Sequence, residues 1–344
     1  MRFGFWMPVF GGWLRNVEDE GMPATFDYQR DLAQRAEQTG WDVTLVAELN
    51  LNDIKGPEAD CLEAWTTTAA LASVTSRLEL MTAVRPNFRL PALVAKETAT
   101  IDQISGGRFT LNVVSAWWAE ESRQYGGAWV EHDERYARTA EFIAILKGMW
   151  TRSEFTLDGR FYEIKNARLH PKPVQKPWPT LYAGGESEAA RELIARDCDA
   201  YLMHGDPPEA LAPKIEDMRA RRARHPEAPP LRFGVAAYGI VRPTEAEVKK
   251  EVARITDVRS SARGYASYQD FVKGSQLGTD ISLEDYSVSN RGLRTGLVGT
   301  PEQVAARVRE LERIGVDLVL LQCSPQREEM ERFSTEIFPL VNHT

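Results

Sequence analysis

The sequence predicts an elaborated (β/α)8 barrel, an α/β fold, and three observations predict it. Eight short runs of apolar and branched residues alternate with amphipathic helical patterns, the rhythm of a parallel sheet with crossover helices. The runs are dry along their length and polar at the carboxyl end, as barrel strands are where they feed an active site. A doubly wound sheet would carry a glycine-rich turn after its first strand, and the one candidate, Gly11-Gly12, lacks the third glycine. A chain of 344 residues is long for one domain, but α/β barrels run long as single units.

The strands are expected near 2–8, 42–48, 78–85, 108–115, 180–184, 199–204, 231–241 and 317–323. Helices are expected near 27–39, 60–76, 90–104, 133–151, 186–196, 207–224, 243–256, 300–314 and 326–337. The stretch 101–136 shows the logic. Ile101 and Ile104 close a helix that Ser105-Gly106-Gly107 stops. Phe109 to Val114 then reads as a strand buried on both faces, and its end turns polar and aromatic at Asn112, Ser115, Trp117, Trp118 and Glu121. His132-Asp133-Glu134-Arg135-Tyr136 opens the next helix.

Two segments break the rhythm of the single domain 1–344. Residues 153–180 read as a hairpin turning at Asp158-Gly159, followed by a proline-rich connection. Residues 257–296 lack periodicity and are expected to form a mobile lid over the barrel mouth.

Composition narrows the function. The chain is 43% hydrophobic and 27% charged, with a net charge of −8, which argues against nucleic-acid binding. No apolar run approaches the ~18 residues that span a membrane. Met1 to Phe5 already reads as a strand, so no signal peptide is expected. Cys61, Cys198 and Cys323 fall in no metal-ligand spacing, which suits reduced thiols in the cytoplasm. Five scattered histidines without an HExxH pattern indicate no metal site.

The strand ends nominate the chemistry. Gly184-Gly185-Glu186-Ser187 ends a strand and opens a helix, the arrangement of a phosphate site, and Arg135 and Tyr136 would face the same phosphate as cation and phenol donor. An ordinary glycine turn with Ser187 early in the helix is the plain alternative. Arg85, Arg291 and Arg294 are candidate anion clamps, since a guanidinium fork matches sulfonate oxygens; a surface arginine is the alternative for either of the last two. His204 sits at the sixth strand's end, as catalytic or structural histidine. Trp6, Phe10, Trp13, Trp117 and Trp118 could wall a pocket or pack in the core.

IDQISGGRFTLNVVSAWW followed by EHDERY resembles the luciferase-like flavin monooxygenases, within the branch that cleaves carbon–sulfur bonds of sulfonates and sulfones. YAGGESEAARELIA (Tyr182 to Ala195), LMHGDPPEAL (Leu202 to Leu211) and LVGTPEQVAARV (Leu297 to Val308) resemble the same branch, and the likeness runs from about Met1 to Leu340, interrupted near 255–290. The resemblance implies a two-component enzyme. Reduced FMN (FMNH2) arrives from a separate NAD(P)H-dependent reductase, and O2 is the co-substrate. It also implies that Arg135, Tyr136, Gly184, Gly185, Glu186 and Ser187 bind the FMN phosphate. Asn112 would contact the isoalloxazine, and Glu121 and Glu48 would be further flavin-side contacts. Relatives are commonly homodimers or homotetramers.

Departures from that pattern matter. The alkanesulfonate enzymes carry Arg-x-His on the seventh strand and Tyr on the eighth, where this chain has Ala236, Tyr238 and Ser324. Tyr238 is the candidate replacement donor, or a core tyrosine. Cys61 matches a cysteine near the flavin, or fills core. A rim of Glu48, Asn50, Asn52, Asp53, Arg85, Asn87 and His204 favours a hydroxylated organosulfonate such as sulfoquinovose, cleaved to sulfite and an aldehyde. The alternatives are dimethyl sulfone, an alkanesulfonate, a non-sulfur substrate, an F420-dependent dehydrogenase, and a flavin-binding relative without turnover.

Overall fold

The computed structural model describes residues 1–115, 118–127, 132–260, 282 and 287–341. Eight parallel strands close a barrel: β1 (Arg2–Trp6), β2 (Val43–Val46), β3 (Glu79–Val84), β4 (Phe109–Val113), β7 (Leu181–Ala183), β8 (Ala200–Met203), β9 (Arg232–Tyr238) and β12 (Leu318–Gln322). Their order round the barrel is β1-β12-β9-β8-β7-β4-β3-β2, with β1 pairing both β12 and β2. All eight sequence-expected strands are these strands. Helices α1 (Phe26–Gln38), α2 (Ala64–Val74), α3 (Pro91–Ser105), α5 (His132–Thr151), α6 (Glu188–Asp197), α7 (Pro208–Arg222), α8 (Glu245–Thr256), α9 (Pro301–Ile314) and α10 (Gln326–Glu336) lie between and after them. Gly106 caps α3 in the left-handed conformation, at the stop expected from the sequence.

Burial on both faces follows from alternation along each strand. Val43, Leu45, Met81, Tyr182, Ala200, Leu202, Leu318 and Leu320 fill the inside, with Trp6 packed on them. Phe3 and Phe5 point outward, where Phe3 meets Phe338 at 4.9 Å and Phe5 meets Trp41 at 5.9 Å between ring centroids. Gly4 marks the tightest place inside. A Cβ there would lie 2.5 Å from Val43 Cγ1 and 2.6 Å from Leu320 Cδ2.

The structure departs from the sequence reading in three places. The expected strand 231–241 is two: the chain leaves β12 after Gly239, and β10 (Ile240–Val241) pairs instead with β11 (Val298–Gly299). A six-residue helix, α4 (Ala119–Gln124), is too short to give a periodic signal. The hairpin of β5 (Phe155–Asp158) and β6 (Glu163–Ala167) is not a free ornament. The Glu141 carboxylate on α5 accepts the N–H groups of Arg160 (2.8 Å), Phe161 (2.9 Å) and Tyr162 (3.2 Å), and the Tyr162 hydroxyl donates to the Pro86 carbonyl at 3.1 Å.

Of the lid expected over 257–296, residues 261–281 and 283–286 lie outside the described residues. The described end, Ser289–Thr295, is packed down. Gly205 N–H donates to Asn290 O at 2.9 Å, and Thr295 Oγ1 donates to Ala236 O at 2.8 Å. Among the described residues no helix is long and apolar enough to cross a membrane, and no group of His, Cys, Asp and Glu could hold a metal ion.

Candidate active site

The nominated residues gather at the carboxyl ends of the strands, in three clusters. The first is the turn from β7 into α6. Ser187 is the N-cap of α6, its Oγ accepting from Ala190 N at 3.2 Å, so other N–H groups of the first turn lack intrahelical partners. Gly185 has φ +150°, and a Cβ there would stand 2.6 Å from Ala190 Cβ and 3.3 Å from the Tyr136 hydroxyl oxygen. Tyr136 therefore lies beside the glycine turn. Arg135, its neighbour on α5, is half-buried, and its carbonyl accepts Thr139 Oγ1 at 2.7 Å. Thr139 in turn meets Ser115 Oγ, just past β4, at 3.3 Å. The Tyr201 hydroxyl donates to Gly185 O at 2.9 Å and fixes the turn from below.

The side chain of Glu186 is engaged away from the turn. Its carboxylate meets Lys214 Nζ at 2.8 Å and Arg291 Nη2 at 2.5 Å. Burial alone would raise its pKa, but Lys214, His204 and Arg291 outweigh burial and hold it at about 2. It is an anion at any working pH, so only its backbone N–H could serve a phosphate.

The second cluster surrounds β8. Asp206 accepts from Lys214 Nζ at 2.7 Å and forms ion pairs with Arg291 at 3.6 Å and Arg294 at 3.4 Å. Arg291, in a left-handed conformation (φ 54°), is thus held by two carboxylates, and Arg294 by one. Neither is a free anion clamp. Burial lowers the His204 pKa despite Glu186, and Arg291 and Lys214 lower it further. His204 is accordingly neutral near pH 7, a donor or acceptor rather than a cation.

The third cluster surrounds Arg85. Its side chain is 1% exposed and lies in a two-pronged pair with Glu121, which is 0% exposed, with Nη2 at 2.9 Å from Oε1 and Nη1 on Oε2. Arg85 N–H donates to Glu48 Oε2 at 2.8 Å, and Glu48 also pairs with Arg89. Burial raises the Glu48 pKa against the pull of Arg89 and Arg85. Glu121 also accepts Asn50 N–H at 2.5 Å. The carboxylates of Glu48 and Glu121, placed above among the flavin contacts, are therefore occupied by arginines.

The polar rim is likewise mostly consumed. Asn52 is fully buried; its amide donates to Phe10 O (2.8 Å) and Asp60 O (2.7 Å) and accepts from Ile54 N and Lys55 N. Asp53 pairs with Arg15 at 3.3 Å. Trp13 is buried, donating to Gln326 Oε1 at 2.7 Å, and is structural. Cys61 is half-buried, its thiol pKa raised by burial and then by Glu121. Trp117 lies outside the described residues, while Trp118 packs partly buried on the core.

What stays unsatisfied is informative. Asn112 Oδ1, Trp6 Nε1, Asn87 Oδ1 and the Tyr238 hydroxyl are buried without a hydrogen-bond partner among the described residues. Asn112 is 5% exposed and faces the interior of β4, paired in register with Ala83 and Tyr182. A buried amide oxygen with nothing to accept suits a ligand that brings a donor, as a flavin ring N–H does. Burial pushes the Tyr238 phenol well up, so it is a protonated donor. Tyr201, Lys214 and Glu141 were not singled out in the sequence. Only Tyr201 left a signal there, as a phenol inside an otherwise apolar strand that must find a partner.

These features align with known proteins. The family model described as luciferase-like monooxygenase matches residues 1–318. The chain is 36% identical over 350 residues to the FMNH(2)-dependent dimethylsulfone monooxygenase of Pseudomonas putida, covering 99% of this chain and 95% of that protein. The enzyme of the same name from Pseudomonas fluorescens (strain Pf0-1) is also 36% identical, with 99% and 94% covered. Among solved structures, a long-chain alkane monooxygenase superposes with a TM-score of 0.85 at 19% identity over 99% of this chain and 91% of that one, a likeness of fold. With a barrel closed in the expected order, a family match over most of its length and relatives above a third identical end to end, this chain belongs to the luciferase-like monooxygenases.

Proposed function

We propose that this protein is the monooxygenase of a two-component system that oxidises dimethyl sulfone, or a close neutral sulfone. It would use O2 and reduced FMN delivered by a separate reductase. One observation carries the choice of substrate. Arg85, Arg291 and Arg294 each already hold a carboxylate. A sulfonate would have to break such a pair, and uncoupling a buried one costs about 3–5 kcal/mol. A neutral sulfone asks for no cation. It needs hydrogen-bond donors for two S=O oxygens and apolar space for its methyl groups. The activity for which both Pseudomonas relatives are named agrees with this, and the hydroxylated sulfonate expected from a polar rim loses its basis because Asn52, Asp53 and Glu48 are engaged.

FMN fits the residues present. The turn at Gly184-Gly185, the first turn of α6, Tyr136 and Arg135 would hold its phosphate, and Asn112 would accept from its ring. Bound FMNH2 supplies the oxygen-activating chemistry. The chain binds and orients it, keeps water out, and offers His204 as a neutral imidazole and Tyr238 as a protonated phenol. The balanced reaction takes dimethyl sulfone, O2 and FMNH2 to methanesulfinate, formaldehyde, FMN and water.

The test supplies FMN, NADH, a flavin reductase and O2 to the purified protein. It measures formaldehyde and methanesulfinate from dimethyl sulfone beside sulfite from methanesulfonate and sulfoquinovose. Sulfinate from the sulfone with no sulfite is the expected result. Sulfite from either sulfonate, without turnover of dimethyl sulfone, sinks the assignment.

A further inference from the structure

We propose that Glu121 is a specificity-determining residue: its carboxylate occupies the Arg85 fork in the manner of a sulfonate, and so closes to anions a site that would otherwise bind them. The inference rests on the neutral-sulfone reading above, and its geometry is as follows. Arg85 follows β3 directly, two residues past Ala83, which pairs in register with the ligand-facing Asn112. This is the end of the barrel where the fold places its chemistry. Both terminal nitrogens of the guanidinium meet the two oxygens of one carboxylate, the same planar two-point match that a sulfonate would make. The Phe88 ring lies under the guanidinium, its centroid 4.3 Å from Arg85 Cζ.

Glu48 does not fill that role. Its nearer oxygen is 3.7 Å from Arg85 Nε, and it is shared with Arg89. Arg89 reaches on to Glu63 at 2.7 Å and Glu97 at 3.4 Å. Removing Glu121 therefore takes the carboxylate off both terminal nitrogens of Arg85, while Glu48 stays 3.7 Å from Nε, and the fork faces the space that Glu121 filled. Asn50 N–H, which also donates to Glu121, would become a third donor for an incoming anion. A carboxylate borrowed from α4 thus makes a neutral wall out of residues that could grip an anion.

Methanesulfonate is the probe, because it differs from dimethyl sulfone by one oxygen in place of a methyl group and carries the charge. Calorimetric titration of methanesulfonate compares the parent, Glu121→Ala, Glu121→Gln and the double variant Arg85→Met/Glu121→Ala, all as full-length FMN-loaded protein. Glu121→Ala is expected to bind at least tenfold more tightly than the parent, and Glu121→Gln to move the same way by a smaller factor. The gain should vanish in the double variant. The inference is overturned if Glu121→Ala binds no tighter, or if the gain survives loss of Arg85. Should Glu121→Ala be only marginally folded, excess methanesulfonate is expected to raise its Tm while leaving the parent's unchanged. No rise overturns the inference equally. The neutral-sulfone reading fails by a different result: a parent protein that releases sulfite from methanesulfonate and does not turn over dimethyl sulfone.

Discussion

The hydroxyl of Tyr201 on β8 donates to the carbonyl of Gly185 at 2.9 Å, and so one strand of the barrel holds the turn that leaves its neighbour. Beside it, the Ser187 cap and the Glu186 pairs with Lys214 and Arg291 hold the same turn. Tyr201→Phe keeps the packing and deletes one hydrogen bond, worth about 1 kcal/mol net. FMN affinity is expected to fall roughly fivefold, read by quenching of flavin fluorescence, with the thermal midpoint little changed. An unchanged affinity would separate Gly185 from the flavin.

Gly185→Ala tests the same turn sterically. The added methyl would meet Ala190 Cβ at 2.6 Å, inside contact distance, and the φ of +150° is one that L side chains rarely adopt. The turn must shift away from Tyr136, and FMN binding should weaken at least tenfold while the circular dichroism of the barrel stays as it is. Parent-like binding would place the phosphate elsewhere.

Glu186 makes a pH-dependent contribution whose sign is fixed. Its folded pKa of about 2 lies below the unfolded value of 4.5, because Lys214, His204 and Arg291 outweigh its burial. The stabilisation is therefore fully present above about pH 4.5 and is lost as pH falls toward 2. The carboxylate is about a third exposed, so solvent screens the effect and it is modest. The Tm difference between parent and Glu186→Gln is expected to be constant from pH 5 to 7 and to shrink below pH 4.5. A difference that grows on acidification would contradict the pairing.

The barrel was legible because each strand is buried on both faces, so that Phe109 to Val113 or Leu318 to Gln322 can only be apolar runs. The glycine turn was legible for a local reason: Gly184 to Ser187 carry strand end, turn and cap in four consecutive residues. Arg85 was not. Its charge follows a buried strand, which does imply a partner or a ligand, but the partner is 36 residues away on a helix of six residues with no periodicity. Sequence distance hides which carboxylate arrives. Asn52 misled in the opposite way. Its acceptor serves N–H groups two and three residues ahead, a turn pattern that sequence can suggest, so its polarity spoke of a loop rather than a substrate. The hairpin tip was seen as a turn, yet its docking on Glu141 and Pro86 needed the tertiary fold.

The buried pair makes a last prediction about stability. Arg85→Met removes the cation that, among the described residues, meets Glu121 with its fork, and leaves a 0%-exposed carboxylate without it. Breaking one side of such a pair costs about 3–5 kcal/mol. Removing both charges does not, because neither member of the pair is then left stranded as an ion, and Glu48 keeps Arg89. Arg85→Met/Glu121→Gln should therefore recover more than half of the loss suffered by Arg85→Met alone, in denaturant unfolding at neutral pH. Equal stability of the single and double variants would mean that Glu121 finds another partner once Arg85 is gone.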